Sequence, residues 1–216
     1  MTYDRKSAII VGILFIMATG LAILGLIVID PITGEPDVLA RVPDNSVRIV
    51  LGALIIILMG MSCAAIAVMA YPILKRTHIA LSIGYVAVRL TEGIIFLFAA
   101  SVWLFLIPLA QAGGDYSPIL ADWTVGSSET LFTIGAELIF GTSALIFNYL
   151  LIRGDLLPKW ISIWGFVGGA LIIISGTMNL FGISIAMIEM ILTLPIAINE
   201  MVLAVWLIVK GFNEAS

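Results

Sequence analysis

The sequence predicts an all-α integral membrane protein, a helical bundle of six transmembrane helices, on three observations. First, it is 62% hydrophobic and only 11% charged over 216 residues, whereas a soluble domain carries about 25% charged residues. Second, apolar runs of about twenty residues or more recur along the whole length, enough to cross a bilayer core. Third, the basic residues between those runs are lopsided. Seven of them (Arg5, Lys6, Lys75, Arg76, Arg153, Lys159 and Lys210) fall on the N-terminal side of a six-pass arrangement, and two, Arg41 and Arg48, on the other. The positive-inside rule then expects both termini in the cytoplasm of a cell-membrane protein. The length suits a single transmembrane domain, residues 1–216, with no second soluble unit.

Composition also excludes function classes. A net charge of −4, scattered along the chain, gives no basic face for nucleic acid. The single cysteine, Cys63, lies in an apolar run, so neither an internal disulfide nor a cysteine-built metal site is expected. One histidine, His78, removes the multi-histidine zinc sites. No metal and no cofactor is expected.

The first helix is expected over about residues 8–29. Its charged start resembles a signal peptide, but the apolar run is too long for a cleaved one. Asp30, Pro31, Gly34 and Pro36 are expected to end it, because proline cannot continue the hydrogen-bond ladder. An acidic loop with Glu35, Asp37 and Asp44 follows. Asp44, Asn45 and Ser46 are capping residues, which starts the second helix at about 47–74. Its Gly60, Ser62, Cys63, Ala64, Ala65 and Ala67 allow close helix approach in lipid. A turn at Lys75–Thr77 leads to the third helix, about 78–108. The segment 110–127 reads as a loop with Tyr116 and Trp123 as interfacial anchors. The fourth helix is expected at about 128–152, the glycine-rich fifth at 157–181 and the sixth at 184–210, followed by a polar tail.

Four charged residues fall where lipid forbids them. Counting helical rise from His78 and Lys210 puts Arg89 roughly 16 Å and Glu200 roughly 15 Å below the inner surface. By the same count Glu92 lies about 21 Å deep, and Glu137, counted from Ile152, about 22 Å. His78, Ser82, Tyr85, Arg89 and Glu92 step by four and three along one face of the third helix. Thr130, Thr133, Glu137, Gly141, Ala144 and Asn148 form a stripe on the fourth, and Glu189, Thr193 and Glu200 on the sixth. Helices three, four and six are therefore expected to surround a polar interior, with Arg89 level with Glu200 and Glu92 with Glu137. One arginine cannot neutralise three glutamates, so one glutamate is expected to hold a proton. The competing reading is an Arg89–Glu92 pair that only fixes helix packing. Intramembrane charges are functional by default, which favours a ligand or proton site. Asn199 is placed to orient Glu200. His78 reads as interfacial, Glu129 and Glu189 as solvated, and Asn148 as interhelical glue.

Catalytic signatures are missing: there is no H-E-x-x-H, G-x-S-x-G or P-loop pattern. Three stretches nevertheless carry a resemblance. They are the R-x-x-E of Arg89 to Glu92, the turn Leu156-Leu157-Pro158-Lys159-Trp160 into the glycine-rich helix, and Glu200 followed by WLIVKGFN from Trp206 to Asn213. Together they resemble the bacterial and archaeal membrane proteins grouped as domain of unknown function family 4386. The resemblance implies a six- or seven-pass membrane protein and no particular activity.

The expected function is binding or transport of a small molecule at Arg89, Glu92, Glu137, Glu200, Tyr85 and Asn199, with a proton on one glutamate. In this reading Arg89 holds an anionic or carbonyl group, and the glutamates take protons or a cationic group. One alternative is a membrane-embedded enzyme on a lipophilic substrate, with Glu92 or Glu137 as acid or base and Tyr85 assisting. Another is a structural or accessory subunit. The expected partners are the lipid bilayer, a small-molecule or lipid ligand, and a second copy or partner subunit.

Overall fold

The computed structural model describes residues 3–34 and 37–213, and all regular structure among them is helical. Glu35 and Pro36 of the acidic loop, and residues 214–216 of the polar tail, lie outside the described residues. The elements are α1 (Tyr3–Thr33), α2 (Val38–Leu74), α3 (Ile79–Leu104), α4 (Leu106–Ala112), α5 (Ser117–Thr133), α6 (Phe140–Arg153), α7 (Lys159–Leu180) and α8 (Ala186–Val209). A π-helical turn, Ile134–Ile139, joins α5 to α6. Six stretches are long and apolar enough to cross a membrane: α1, α2, α3 with α4, α5 through α6, α7, and α8. Each packs on the one before it, and α8 returns to pack on α1, so the six close into a ring.

The seams of this ring are made where side chains vanish. A Cβ on Gly93 of α3 would lie 2.8 Å from the carbonyl oxygen of Gly60 on α2. A Cβ on Gly141 of α6 would lie 2.9 Å from the Gly169 carbonyl oxygen of α7, and one on Gly12 of α1 2.6 Å from that of Ala204 on α8. Lipid offers no hydrophobic drive between helices, so such close backbone approach supplies much of the packing energy. Arg5 locks the closing seam. Its guanidinium donates to the last carbonyls of α8, at 3.0 Å to Leu207, 2.6 Å to Ile208 and 3.1 Å to Val209. Those carbonyls have no intrahelical donor of their own.

Several expected boundaries move, each for a physical reason. Pro31 does not end α1, which runs on to Thr33. A proline withdraws the donor for the carbonyl four residues back, here that of Ile27. Arg48 on α2 supplies it, with Nη2 at 3.2 Å from the Ile27 oxygen and Nε at 2.7 Å from that of Val28. The helix α2 begins at Val38 rather than after Asp44–Ser46, and Pro43 sits inside it. Its first turns hold because Val38 and Val42 are buried in the same core as Ile29 and Ile32. The chain reverses just before, at Asp37, with a φ of 61°, which aspartate tolerates.

The expected 110–127 loop shrinks to the turn at residues 113–116. Gly113 and Gly114 take positive φ there, at 61° and 98°. The flanks are helical because Ser117, Ala121, Thr124 and Ser128 bury one face of α5, and the Ser128 hydroxyl donates to the Ala99 carbonyl at 3.1 Å. The third helix breaks at Phe105 instead of running to Pro108. His78 caps it, its Nδ1 accepting from the Leu81 N–H at 3.3 Å. The fourth span is not one continuous α-helix, because the π turn interrupts it. Gly135 lies against Phe96 of α3, while Gly141 lies against Gly169 of α7. The wider turn re-phases the helix between these two contacts.

Candidate functional site

Polar side chains from α3, α6 and α8 meet inside the ring. On α3, Arg89 and Glu92 are both buried, each 2% exposed. Three residues apart on a helix, they face each other, and Arg89 Nη1 donates to both carboxylate oxygens of Glu92 at 2.9 and 3.2 Å. Arg89 Nε reaches across to the Cys63 carbonyl of α2 at 3.3 Å. The guanidinium carbon sits 6.0 Å from the Phe15 ring centre and 5.7 Å from that of Phe140, within cation–π range. These contacts use Nε and Nη1. Among the described residues nothing accepts from Nη2, and that atom is not sealed from the cavities beside it.

Two neighbouring cavities border this pair, and both are walled by Arg89, Phe140 and Glu200. The wider is a cleft of about 550 Å³ including its open mouth, lined by Ala18, Ala22, Met59, Phe96 and Ala136 around the charges. It lies where α1 and α8 part. Gly12 of α1 is pressed against the C-terminal half of α8, whereas Met187, Met190 and Ile191 in the N-terminal half of α8 are exposed. The narrower cavity lies between α6 and α8, beside Tyr85, Phe147, Asn148 and Asn199. It has room for about one water molecule.

Glu200 is half-buried on the wall of both cavities. Its carboxylate makes no hydrogen bond or ion pair with any described residue, so the level pair expected with Arg89 is not closed. Arg89 is taken by Glu92 instead, because the partner three residues along its own helix is nearer than one across a cavity. Tyr85 is buried and stacks on Phe147, ring centres 5.0 Å apart. Asn199 is pinned to α7 through a hydrogen bond from Nδ2 to the Ile161 carbonyl at 2.9 Å rather than to Glu200. Asn148 donates from Nδ2 to the Ala144 carbonyl at 2.9 Å, but its Oδ1 is sealed from solvent without a partner.

Glu137 does not join this group. The π turn directs it to the α7 seam, where Asn179 Nδ2 donates to its Oε1 at 3.1 Å. The expected Glu92–Glu137 pair is therefore not formed, because an unbroken α-helical period was assumed across residues 134–139. The residues that sequence reasoning missed are Phe15, Phe140 and Phe147. An aromatic in an apolar run carries no mark that separates cavity wall from core. No described residues form a group of three His, Cys, Asp or Glu able to hold a metal ion.

The fold and this interior define a class: a multi-pass helical bundle of membrane type, with a buried ion pair beside a polar-ended cavity. The chain belongs to the family described as Domain of unknown function (DUF4386), whose model matches residues 10–211. Comparisons with curated proteins and with solved structures gave no match.

Proposed function

We propose that this protein binds a small amphipathic molecule inside the membrane, as a binding or transport protein whose site is formed by Arg89, Glu92, Glu200, Tyr85 and Asn199. The observation that carries the reading is unused binding capacity. Arg89 Nη2 and the Glu200 carboxylate come from different helices, face the same space, and have no partner among the described residues. A bundle held only by packing gains nothing from an unpaired carboxylate on its inner wall, since withdrawing an ion from water costs free energy. One guanidinium beside two carboxylates leaves a charge for a ligand or a proton to balance. The seven basic residues on one side against two on the other support cytoplasmic termini.

The other readings have less support. Of the two acids of an enzyme reading, Glu92 has both oxygens engaged by Arg89 and Glu137 accepts from Asn179 at the α7 seam, while Tyr85 lies flat on Phe147. A docking subunit would present its small-residue faces outward, whereas Gly60, Gly93, Gly141 and Gly169 are spent on seams within the chain.

Native mass spectrometry of protein in mild detergent tests the proposal. The expected result is a small molecule retained by wild type and lost in a folded, monodisperse Glu200→Gln variant. An empty wild type, together with a Glu200→Gln variant that melts higher, would show an unpaired carboxylate serving no ligand and would overturn it.

A further inference from the structure

The opening and the polar end of the wider cleft narrow the ligand class, given the binding reading above. We infer that the ligand is an uncharged single-chain lipid drawn from the bilayer, whose head donates a hydrogen bond to Glu200 and accepts one from Arg89.

The way in comes first. The narrow cavity has no exit toward the termini, because Val11, Leu151, Ala204 and Leu207 beyond it are wholly buried. The wider cleft is lined farther from the termini, by Ala18 and Ala22 on α1 and out to Phe96 on α3. Phe96 is still about 12 Å of helical rise short of the end of α3 at Leu104. Over that interval Phe132 of α5 packs on Phe96 and Trp103, with ring centres 5.7 and 5.2 Å apart. Rings therefore join α3 to α5 where an axial shaft would have to part them. The opening is at the side, where α1 and α8 diverge. Met17 and Ile23 on α1 and Leu194 and Ile198 on α8 are exposed near that level, a surface for acyl chains to cover.

A route through hydrocarbon selects against charge. An ionised group there costs about 2.5–3.5 kcal/mol even on lenient insertion scales, and Arg89 already has Glu92 as its counter-ion. The polar end of the cleft then fixes the head. Arg89 Nη2 offers donors and the Glu200 carboxylate offers acceptors, with no partner for either among the described residues. A hydroxyl or a carboxamide answers both at once, since each carries donor and acceptor together. An ammonium cannot accept from Arg89, and an ester cannot donate to Glu200. Behind the head, Ala18, Ala22, Met59 and Ala136 form an apolar wall. At about 550 Å³ with its mouth, the cleft has the size of a small-molecule pocket. It suits one alkyl chain, not the pair carried by a phospholipid.

The test uses the full-length protein in lipid nanodiscs and a decanol analogue with a photoreactive diazirine in its chain. Saturable labelling is expected at Ala18, Ala22 or Met59, with decanol and decanamide displacing the probe. Decylamine, decanoate and methyl decanoate are expected to displace it about tenfold less well or worse, as when one hydrogen bond to a charged group is lost. Glu200→Leu is expected to weaken decanol by a similar factor, and the wild-type series stands by itself if that variant fails to fold. Displacement by any of the three as strong as by decanol, or unchanged labelling in folded Glu200→Leu, would overturn the uncharged donor-and-acceptor head while leaving a ligand site in place. No displaceable label in the cleft, with a small molecule still retained by wild type in native mass spectrometry, would overturn the lipid and leave the binding reading. Neither label nor retained molecule would overturn both.

Discussion

Replacing Gly93 by alanine tests whether the α2–α3 seam holds the ion pair in place. The new methyl carbon would lie 2.8 Å from the Gly60 carbonyl oxygen and 3.4 Å from its carbon. Carbon-to-oxygen contacts across helices settle at about 3.3–3.6 Å, so the helices must part by about half an ångström. Both partners are backbone, and no side chain can turn aside to relieve the clash. A gap of about 0.5–1 Å forfeits a quarter to a half of the dispersion attraction across it. Overpacking of this kind costs about 1–3 kcal/mol. The strain does not stay local. One turn away Arg89 reaches the Cys63 carbonyl at 3.3 Å, a bond already long and the first to break. Gly84 on the same helix has nothing within 4 Å of its would-be Cβ, so Gly84→Ala is the matched control. Thermal unfolding in detergent should show Gly93→Ala several degrees below wild type, with Gly84→Ala unchanged or slightly higher. Equal melting of Gly93→Ala and wild type, or an equal loss in both variants, would refute the reasoning.

Three further variants probe other parts of the bundle. Arg89→Leu strands Glu92 in a buried site and should cost about 3–5 kcal/mol, while Arg89→Leu with Glu92→Leu should recover most of that; a double variant no more stable than the single in chemical unfolding would speak against an isolated pair. Glu137→Gln should hold or raise stability, by about 1 kcal/mol. Glu137 Oε2 and Asn179 Oδ1 are both sealed without partners, and a glutamine amide can donate to Asn179 while its oxygen keeps the existing bond. A clear drop in melting temperature would contradict this. Arg5→Ala removes three bonds to the end of α8 and should cost about 1–3 kcal/mol. Proteolysis near residues 207–211 should quicken in that variant, and unchanged cleavage would count against the cap.

The six spans were legible because lipid imposes its length on every apolar run. The Arg89–Glu92 pair was legible as well, since helical spacing alone brings residues three apart together. What could not be read were features decided by other helices. Pro31 marks a helix end in any local rule, and only Arg48, twenty-one residues beyond the Ile27 carbonyl it bonds, lets the helix run on. The π turn has no proline or charge to announce it. It answers to Phe96 on one side and Gly169 on the other, and its re-phasing sends Glu137 away from Glu92. Depth arithmetic placed Glu200 among the buried charges but did not show a cavity between it and Arg89. That space depends on how neighbouring helices pack, with close contacts at Gly12, Gly93 and Gly141 fixing three of the seams.

The ring also has a temporal consequence. Its closing seam joins α1 to α8, and Arg5 finds its acceptors 202 to 204 residues later in the chain. A chain made from its N-terminus therefore stays an open arc until α8 is made, with one flank of the ion pair unshielded by that helix. The guanidinium of Arg5 has no α8 carbonyls to hold until α8 itself has been made. Arrival of the last span then hides the charges and caps its own end in one event. The open and the closed bundle thus differ in whether an arginine and a carboxylate stand unshielded in the bilayer.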